Sequence, residues 1–426
     1  MFDIKLIREN PKLVEENLRK RNDPEKIKLL KEITDNDKKR RKLIQEVDEL
    51  RRQRNIVTKE IAELRRDGKS VTEKLARAKA IPDKIKEKEE ELERIETAVR
   101  RGLFSLPNML HESVPIGKDD SENVEIRKWG NIPEFGFKPK THVEILRNLG
   151  MIDLERAVKV AGSGFYYLKG DVVILDLALQ RFALDFLRKK GFVVVEPPYM
   201  IKRDAYEGMI DFEDFEMVTY KVGKDDVYLI ATSEHPMGAM FMNETLNIEE
   251  LPIKLAGVSP CFRKEVGSHG KYTKGIFRVH QFNKIEQFIF SCPDDSWKLH
   301  DELQENSEKL YQQLEIPYRV VNVCTGDIGT VAAKKYDIEG YWVDGNYREL
   351  GSNSNCTDYQ ARRLNLKYRI KEGQAPAGFV HTLNNTALAT SRTMIAIIEL
   401  NQQEDGTVKI PRVLWPYTGF RVLGEK

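Results

Sequence analysis

Leu43, Val47, Leu50, Val57, Ile61 and Leu64 step along the chain by 4, 3, 7, 4 and 3 residues. Ala78, Ile81, Ile85, Leu92, Ile95 and Val99 repeat the rhythm after a break at Gly68, and Arg54 and Lys88 fill the two gaps. Apolar residues in this spacing line one stripe of a helix, and such a stripe needs a partner to cover it. Gly68 stops the first helix, Ser70 and Glu73 are placed as a capping box for the second, and Pro82 is placed to kink it or to mark its real start. Two seams joined by a short turn predict an antiparallel coiled-coil hairpin, an arm over about residues 37–101 within a helical domain of residues 1–102. About thirty residues of helix reach about 45 Å.

The charges on this arm are lopsided. Residues 37–66 carry eleven Lys or Arg against six Asp or Glu, whereas residues 73–101 carry nine against eight. A solvated helical face explains most charge runs. A stiff basic rod also suits the phosphates of a folded RNA, whose shape it follows without reading bases. The whole chain has a net charge of only +2, so any nucleic-acid role rests on this local patch.

Beyond residue 102, Pro, Gly and aromatic residues become frequent. Residues 103–140 read as a linker with turns and the start of a second domain, which occupies 141–426. There "DLALQRFALDFLRKKG" is an amphipathic helix ending at Gly191, "FVVVEPPYM" a buried strand halted by Pro197 and Pro198, and "VYLIATSEH" another strand. This alternation predicts an α+β protein, the second domain built on a mostly antiparallel β-sheet flanked by helices. Cys261, Cys292, Cys324 and Cys356 form no C-x-x-C pair and have no His at ligand spacing. They predict buried free thiols, no structural zinc and a reducing cytoplasm. The start "MFDIKLIREN" is too charged for a signal peptide, and no apolar run reaches the roughly 20 residues that span a bilayer. No membrane partner is expected.

The stretch "SPCFRKEVGSHGKYTKGIFRVHQFNKIEQF", residues 259–288, carries the chemistry. Strands over 259–266 and 276–288 would be joined by a loop holding Gly267, Gly270 and Gly275. Alternation then puts Arg263 and Glu265 on one face of the first, and Arg278, His280, Phe282, Lys284 and Glu286 on one face of the second. Phe277, Val279 and Ile285 point the other way, toward a core. A half-exposed sheet with solvated charges is the bland alternative, but solvated faces favour Lys and Glu over this mixture. Arg offers a fork for phosphate or carboxylate, a Phe beside it can stack on a planar base, and a Glu can hold an ammonium. A nucleotide and an amino acid suit such a face. No phosphate-binding glycine motif is present, so the nucleotide would lie on a sheet and not at a helix N-terminus.

"PCFRKE…GIFRVHQFNKIE" resembles the second signature motif of the class II aminoacyl-tRNA synthetases, in the form of the seryl-tRNA synthetase family. "ATSEHP" resembles that family's T-x-E serine-binding segment, and "VNVCTGDIGTVAAKKYDIEGYW" and "RELGSNSNCTDYQARR" its central strands. "HTLNNTALATSRTMIAIIELNQQ" resembles its third motif, "GFVVVEPPYM" the first, and the N-terminal hairpin its tRNA-binding arm. The resemblance covers essentially the whole chain. It implies ATP-dependent attachment of L-serine to tRNA(Ser), a tRNA with a long variable arm, by way of seryl-adenylate. Serylation of tRNA(Sec) is implied as an extra activity. So is a homodimer, with one arm reaching the tRNA bound across it.

Residue by residue, the resemblance implies that Arg263 contacts the α-phosphate, with Lys264 and Glu265 completing the ATP segment. Arg278 and the backbone at Val279 would lie along the nucleotide, and Phe282 would stack on adenine. Glu349 and Ser352, in a segment with Leu350 and Gly351, would hold Mg2+ on the phosphates, and Arg392 would sit over the far end of the triphosphate. Arg263, Glu349 and Arg392 would thereby carry the catalytic charge neutralisation. Thr232, Ser233, Glu234, Glu286, Asn384 and Thr386 would line the serine pocket together with Arg263. Which group takes the hydroxyl and which the ammonium stays open.

Each assignment has a plainer alternative. Thr232 and Glu234 could end a strand at the surface, Glu349 could pair with its neighbour Arg348, and His280 suits a structural hydrogen bond better than base catalysis. Lys271, Tyr272, Lys274 and Asn283 depart from the family's usual residues in or near the loop expected to meet the tRNA acceptor end. Two rival functions remain at this point: serine activation for loading onto a carrier protein, and a non-catalytic RNA-binding relative.

Overall fold

The structure is a computed structural model, which describes residues 1–425 except 212–214, 216 and 266–274. The chain divides into two compact units, Met1–Pro107 and Asn108–Lys426. Among the described residues no helix is long and apolar enough to cross a membrane.

The first unit is helical: α1 (Ile4–Glu9), α2 (Pro11–Arg19), α3 (Pro24–Arg66) and α4 (Thr72–Ser105). Asp23 caps α3, its carboxylate accepting from the Glu25 and Lys26 amides, and Pro24 takes the first helical position, where no N–H is needed. Val57, Ile81 and Ile85 are buried between α3 and α4, with Leu50, Ile61 and Ala78 against them. Burying each large aliphatic contributes about 1.5–3 kcal/mol, which holds the two helices together. Ion pairs between the helices agree on one antiparallel register: Lys88 with Glu46 at 3.0 Å, Arg51 with Glu89 at 2.8 Å, and Lys74 with Glu60. Near the base of the hairpin Asp37 is only 3% exposed at its side chain and lies 2.6 Å from Arg8, which ties α1 to α3.

One local expectation fails here, and one of two alternatives is removed. The cap of α4 is Val71, with no side-chain bond, and Ser70 lies 3.4 Å from the Thr72 hydroxyl instead of closing a capping box with Glu73. Pro82 lies inside α4, which starts ten residues earlier at Thr72. Its ring is on an exposed face, while Ile81 and Ile85 stay buried in the seam.

In the second unit the described strands build an eight-stranded sheet: β1 (Val124–Trp129), β2 (Val193–Val195), β3 (Ile253–Phe262), β4 (Gln281–Ser291), β5 (Tyr318–Asn322), β6 (Lys334–Tyr341), β7 (Tyr347–Asn355) and β8 (His381–Ala389). The order is β1-β5-β6-β7-β8-β4-β3-β2, and every pairing is antiparallel except β2 with β3. β1 comes from the stretch read as linker. It is an edge strand whose six residues are all exposed, interrupted by a register shift between Glu125 and Arg127. Helices α5 (Asp171–Lys189), α6 (Glu234–Gly238), α7 (Ser296–Gln313) and α8 (Thr390–Leu400) accompany the sheet. Ile285 and Ile289 of β4 join the main core with residues of α5, α7 and α8. Gln287, between them, bonds to Leu303 and Ser307 of α7. Alternation therefore turns Lys284, Glu286, Phe288 and Phe290 to the other face of the sheet.

The segment "FVVVEPPYM" gives a short strand at the sheet edge, with Val193 61% exposed, and not a buried one. Only Val227–Leu229 of "VYLIATSEH" is a strand; the chain then turns into α6, where the Thr232 hydroxyl accepts from the Glu234 amide at 3.2 Å. Cys261, Cys324 and Cys356 are buried, Cys292 is partly exposed, and all four are free thiols.

Candidate active site

The β3–β4 ladder is shorter than its sequence suggests. It closes where Phe262 meets Gln281, so Arg263, Lys264, Glu265, Arg278 and His280 sit on the flanking chain, past the strand ends. Glu265 takes a φ of +48°, the left-handed region, which turns the backbone out of the sheet. Arg278 reaches back to it, Nη1 to Oε2 at 3.3 Å. Gly267, Gly270, Lys271, Tyr272 and Lys274 lie outside the described residues.

Arg263 is held from several sides. Its backbone N–H donates to the His280 carbonyl at 2.9 Å, and its Nε donates to the Ala231 carbonyl at 3.3 Å. The Nδ1 of His280 lies 2.7 Å from the Arg263 carbonyl, which makes His280 a structural hydrogen-bonder. The Arg263 guanidinium lies 5.3 Å from the Phe282 ring centre, within cation–π reach. One cationic fork and one aromatic face are thus already side by side. Lys264 donates its backbone N–H to Val218 at 3.0 Å, and the Val279 side chain is buried in the core, leaving its main chain for any ligand contact.

A second cationic fork stands on α8. The Arg392 Nη1 donates to the Glu349 carbonyl at 2.8 Å and lies 3.3 Å from that residue's Oε1, with the guanidinium 5.0 Å from the Phe277 ring. Glu349 therefore pairs with Arg392; Arg348 goes to Asp344. Burial works against ionisation of Glu349, but Arg392, Lys335 and Arg263 outweigh it and hold the carboxylate below its usual range. Ser352 lies 3.5 Å from Glu349, Oγ to Oε1. Leu350 between them is buried in the core, and only its backbone can face a ligand. A Cβ on Gly351 would come within 2.8 Å of Thr386, so only glycine lets β7 lie this close to β8. The oxygen pair Glu349 and Ser352 is a hard donor set suited to Mg2+, which takes carboxylate, water and phosphate oxygens. Two protein oxygens are too few alone, and phosphates would complete the shell.

The other face of the sheet carries a cluster of polar and charged side chains. The Glu286 Oε2 is 2.6 Å from Lys284 and 3.2 Å from the Thr386 hydroxyl, which donates to it. Glu234 accepts from Gln360 at 3.2 Å and from Asn384 at 3.1 Å, both on Oε1. Burial, and then the charge of Glu286, push the Glu234 carboxyl up to about 7, against the opposing pull of Lys284, Gln360 and Arg263. Ser233 is fully buried, and its hydroxyl has no hydrogen-bond partner among the described residues. A Cβ on Gly257 would come within 2.7 Å of its Oγ, so the glycine of β3 lies directly against it.

The fold thus brings together Arg263, Phe282, Glu286, Thr386, Glu234 and Asn384, and sets Glu349 and Arg392 against each other. Asn283 does not belong with the loop. It lies in β4 and donates to Asp176 of α5 at 2.8 Å. Reading the residues one by one missed Gln360. It lies within a segment that resembles the family, but nothing local marks it; only the fold carries its amide 126 positions along the chain to Glu234.

Residues 1–110 match the seryl-tRNA synthetase N-terminal domain, and residues 215–401 match the tRNA synthetase class II core domain (G, H, P, S and T). The serine–tRNA ligase of Methanospirillum hungatei is 54% identical over 418 residues, covering 98% of each chain. The crystal structure of seryl-tRNA synthetase from Pyrococcus horikoshii complexed with ATP has a TM-score of 0.96 at 51% identity, covering 99% of each chain. The cytoplasmic serine–tRNA ligase of Naegleria fowleri in complex with AMP has a TM-score of 0.89 at 37% identity, over 99% of this chain and 98% of that one. With both domain matches in place and full-length relatives above half identity, this chain belongs to the seryl-tRNA synthetases of class II.

Proposed function

We propose that this protein activates L-serine with ATP and transfers it to tRNA(Ser). The serine carboxylate attacks the α-phosphate, pyrophosphate leaves, and the tRNA ribose hydroxyl then displaces AMP from seryl-adenylate. The carboxylate already carries the attacking charge, so positioning and charge neutralisation are what the protein must supply. The observation that supports this reading is that Arg263 lies beside the Phe282 ring while Arg392 pairs with Glu349, with the acids and hydroxyls of Glu286, Thr386 and Glu234 on the same sheet. Phe282 takes the adenine, and Arg263 takes the α-phosphate and the substrate carboxylate. Lys264, Glu265, Arg278 and the Val279 backbone border the nucleotide. Glu349 and Ser352 would hold Mg2+ bound with ATP, which neutralises the phosphate charge when present.

The two ends of the pocket differ. Glu234 accepts from the neutral amides of Gln360 and Asn384, and takes the ammonium with Thr232. Thr386 and Glu286 take the hydroxyl. Residues 37–101 form the tRNA-reading arm and 141–426 the catalytic domain, joined through 103–140. The basic face of α3 suits the long variable arm of tRNA(Ser), and of tRNA(Sec). Exposed Val193 and Val194 on β2, with Ile174 and Leu177 on α5, suit a homodimer interface. Free thiols suit a reducing cytoplasm.

Exchange of pyrophosphate into ATP tests the reading. Serine should support it, and alanine should fall short by at least about 100-fold, because it leaves buried polar groups unpaired. Threonine should also be poor. Equal exchange with alanine would contradict the pocket assignment.

A further inference from the structure

Adenylate formation does not by itself require a lysine in the amino-acid pocket, yet one is there. The Lys284 side chain is 6% exposed, with its Nζ 2.6 Å from Glu286 and 3.4 Å from the Thr386 hydroxyl. Lysine is almost never buried this deeply unless it is paired, and a buried charge must be balanced. Among the described residues, the charged and titratable groups around it are Glu286 on its own strand, Glu234 and His235 on α6, Cys261 on β3 and Arg263 just beyond β3. Burial, Lys284 and Arg263 drive the His235 imidazole well below its usual range, so it stays neutral. Burial keeps the Cys261 thiol protonated. Once Glu234 is ionised, two carboxylates, Glu234 and Glu286, stand against two cations, Lys284 and Arg263, among the described residues. That sum is zero, which fits a zwitterion.

Lys284 stands at the Glu286–Thr386 end and not at the Glu234 end. We infer that Lys284 is a specificity determinant. It occupies the charge of Glu286 where the substrate side chain lies, leaves Glu234 as the one acid for an ammonium, and repels any amino acid bearing a second positive charge. This rests on the serine-pocket reading above. A pocket without the lysine would hold one uncompensated negative charge and would welcome a cationic side chain.

The probe is L-2,3-diaminopropionate, which is serine with an ammonium in place of the hydroxyl. Pyrophosphate exchange is measured with both amino acids, for the wild type and for K284M, at one pH for the preference and with serine across a pH series for the acidic limb. The wild type should prefer serine by at least about 100-fold. K284M should lose at least about tenfold of that preference, the equivalent of one unit of electrostatic shift. The acidic limb of its serine kcat/KM should also move to higher pH, because Glu234 loses the charge that opposed its protonation. The double variant K284M/E286Q, which removes both charges, should bring the limb back toward the wild-type position. A structural role alone would lower activity without moving the limb or the preference. An unmoved preference in folded K284M overturns the inference. So does a wild type that uses diaminopropionate as readily as serine, a result that needs no variant to fold. If the wild type gave no exchange with serine, the pocket reading itself would fail first.

Discussion

Glu234 shows at the scale of one residue how the site trades stability for chemistry. Its carboxyl is pushed up to about 7 by burial and by Glu286. The folded state therefore holds this proton more tightly than the unfolded chain. Ionising Glu234 costs the fold stability above the unfolded pKa, and the cost grows as pH rises through about 7. On the proposed assignment the ammonium of serine needs the ionised form. Serine kcat/KM in pyrophosphate exchange should accordingly climb as pH rises through about 7. E234Q, whose amide oxygen can still accept from Gln360 and Asn384, should lose that limb along with most of its activity. It should also melt a few degrees higher than the wild type at pH 8. A flat wild-type profile between pH 6 and 8, or an E234Q protein that melts lower, would contradict this assignment. The residue type was legible from the T-x-E segment. Its environment was not, because Gln360, Asn384 and Glu286 reach it only through the fold.

Elements were legible to the extent that their signals are local. The seams from Leu43 and Ala78 repeat within a few residues, and the structure buries Leu43, Val47, Val57, Ile81, Ile85 and Val99. Alternation placed Ile285 in the core and Glu286 opposite it. Element ends were less legible. β3 and β4 stop at Phe262 and Gln281; one further backbone bond, Arg263 N–H to the His280 carbonyl, still joins the two chains, but the Lys264 and His280 amides turn away to Val218 and Gly164, which no period in the sequence announces. The cap of α4 failed for a related reason: seam packing fixes where α3 and α4 pair, and a cap bond is dispensable beside it. The arm also yields a prediction at this scale. Residues 42–95 can be replaced by a short turn without touching the Asp37–Arg8 contact at its base. That protein should keep serine-dependent exchange and lose serylation of tRNA. If both fell equally, the arm would not be a separate reader.

Over the whole molecule, two units divide the task that the sequence assigns to one chain. Met1–Pro107 offers a rod with a basic helix, and Asn108–Lys426 offers a sheet with chemistry on one face. Legibility followed the same division. The rod could be read from spacing alone. The sheet was legible from alternation, but its site residues needed the resemblance, since Glu349 meets Arg392 across 43 residues and Thr386 meets Glu286 across 100. The central claim is that the face of β3, β4, β7 and β8 holds the nucleotide, with no glycine-rich loop or helix N-terminus involved. A crystal structure of this protein with ATP and magnesium tests it most directly. The purine should lie against Phe282, with the α-phosphate at Arg263 and the far phosphates toward Arg392 and Glu349. A purine bound elsewhere, with Phe282 uncovered, would contradict the account.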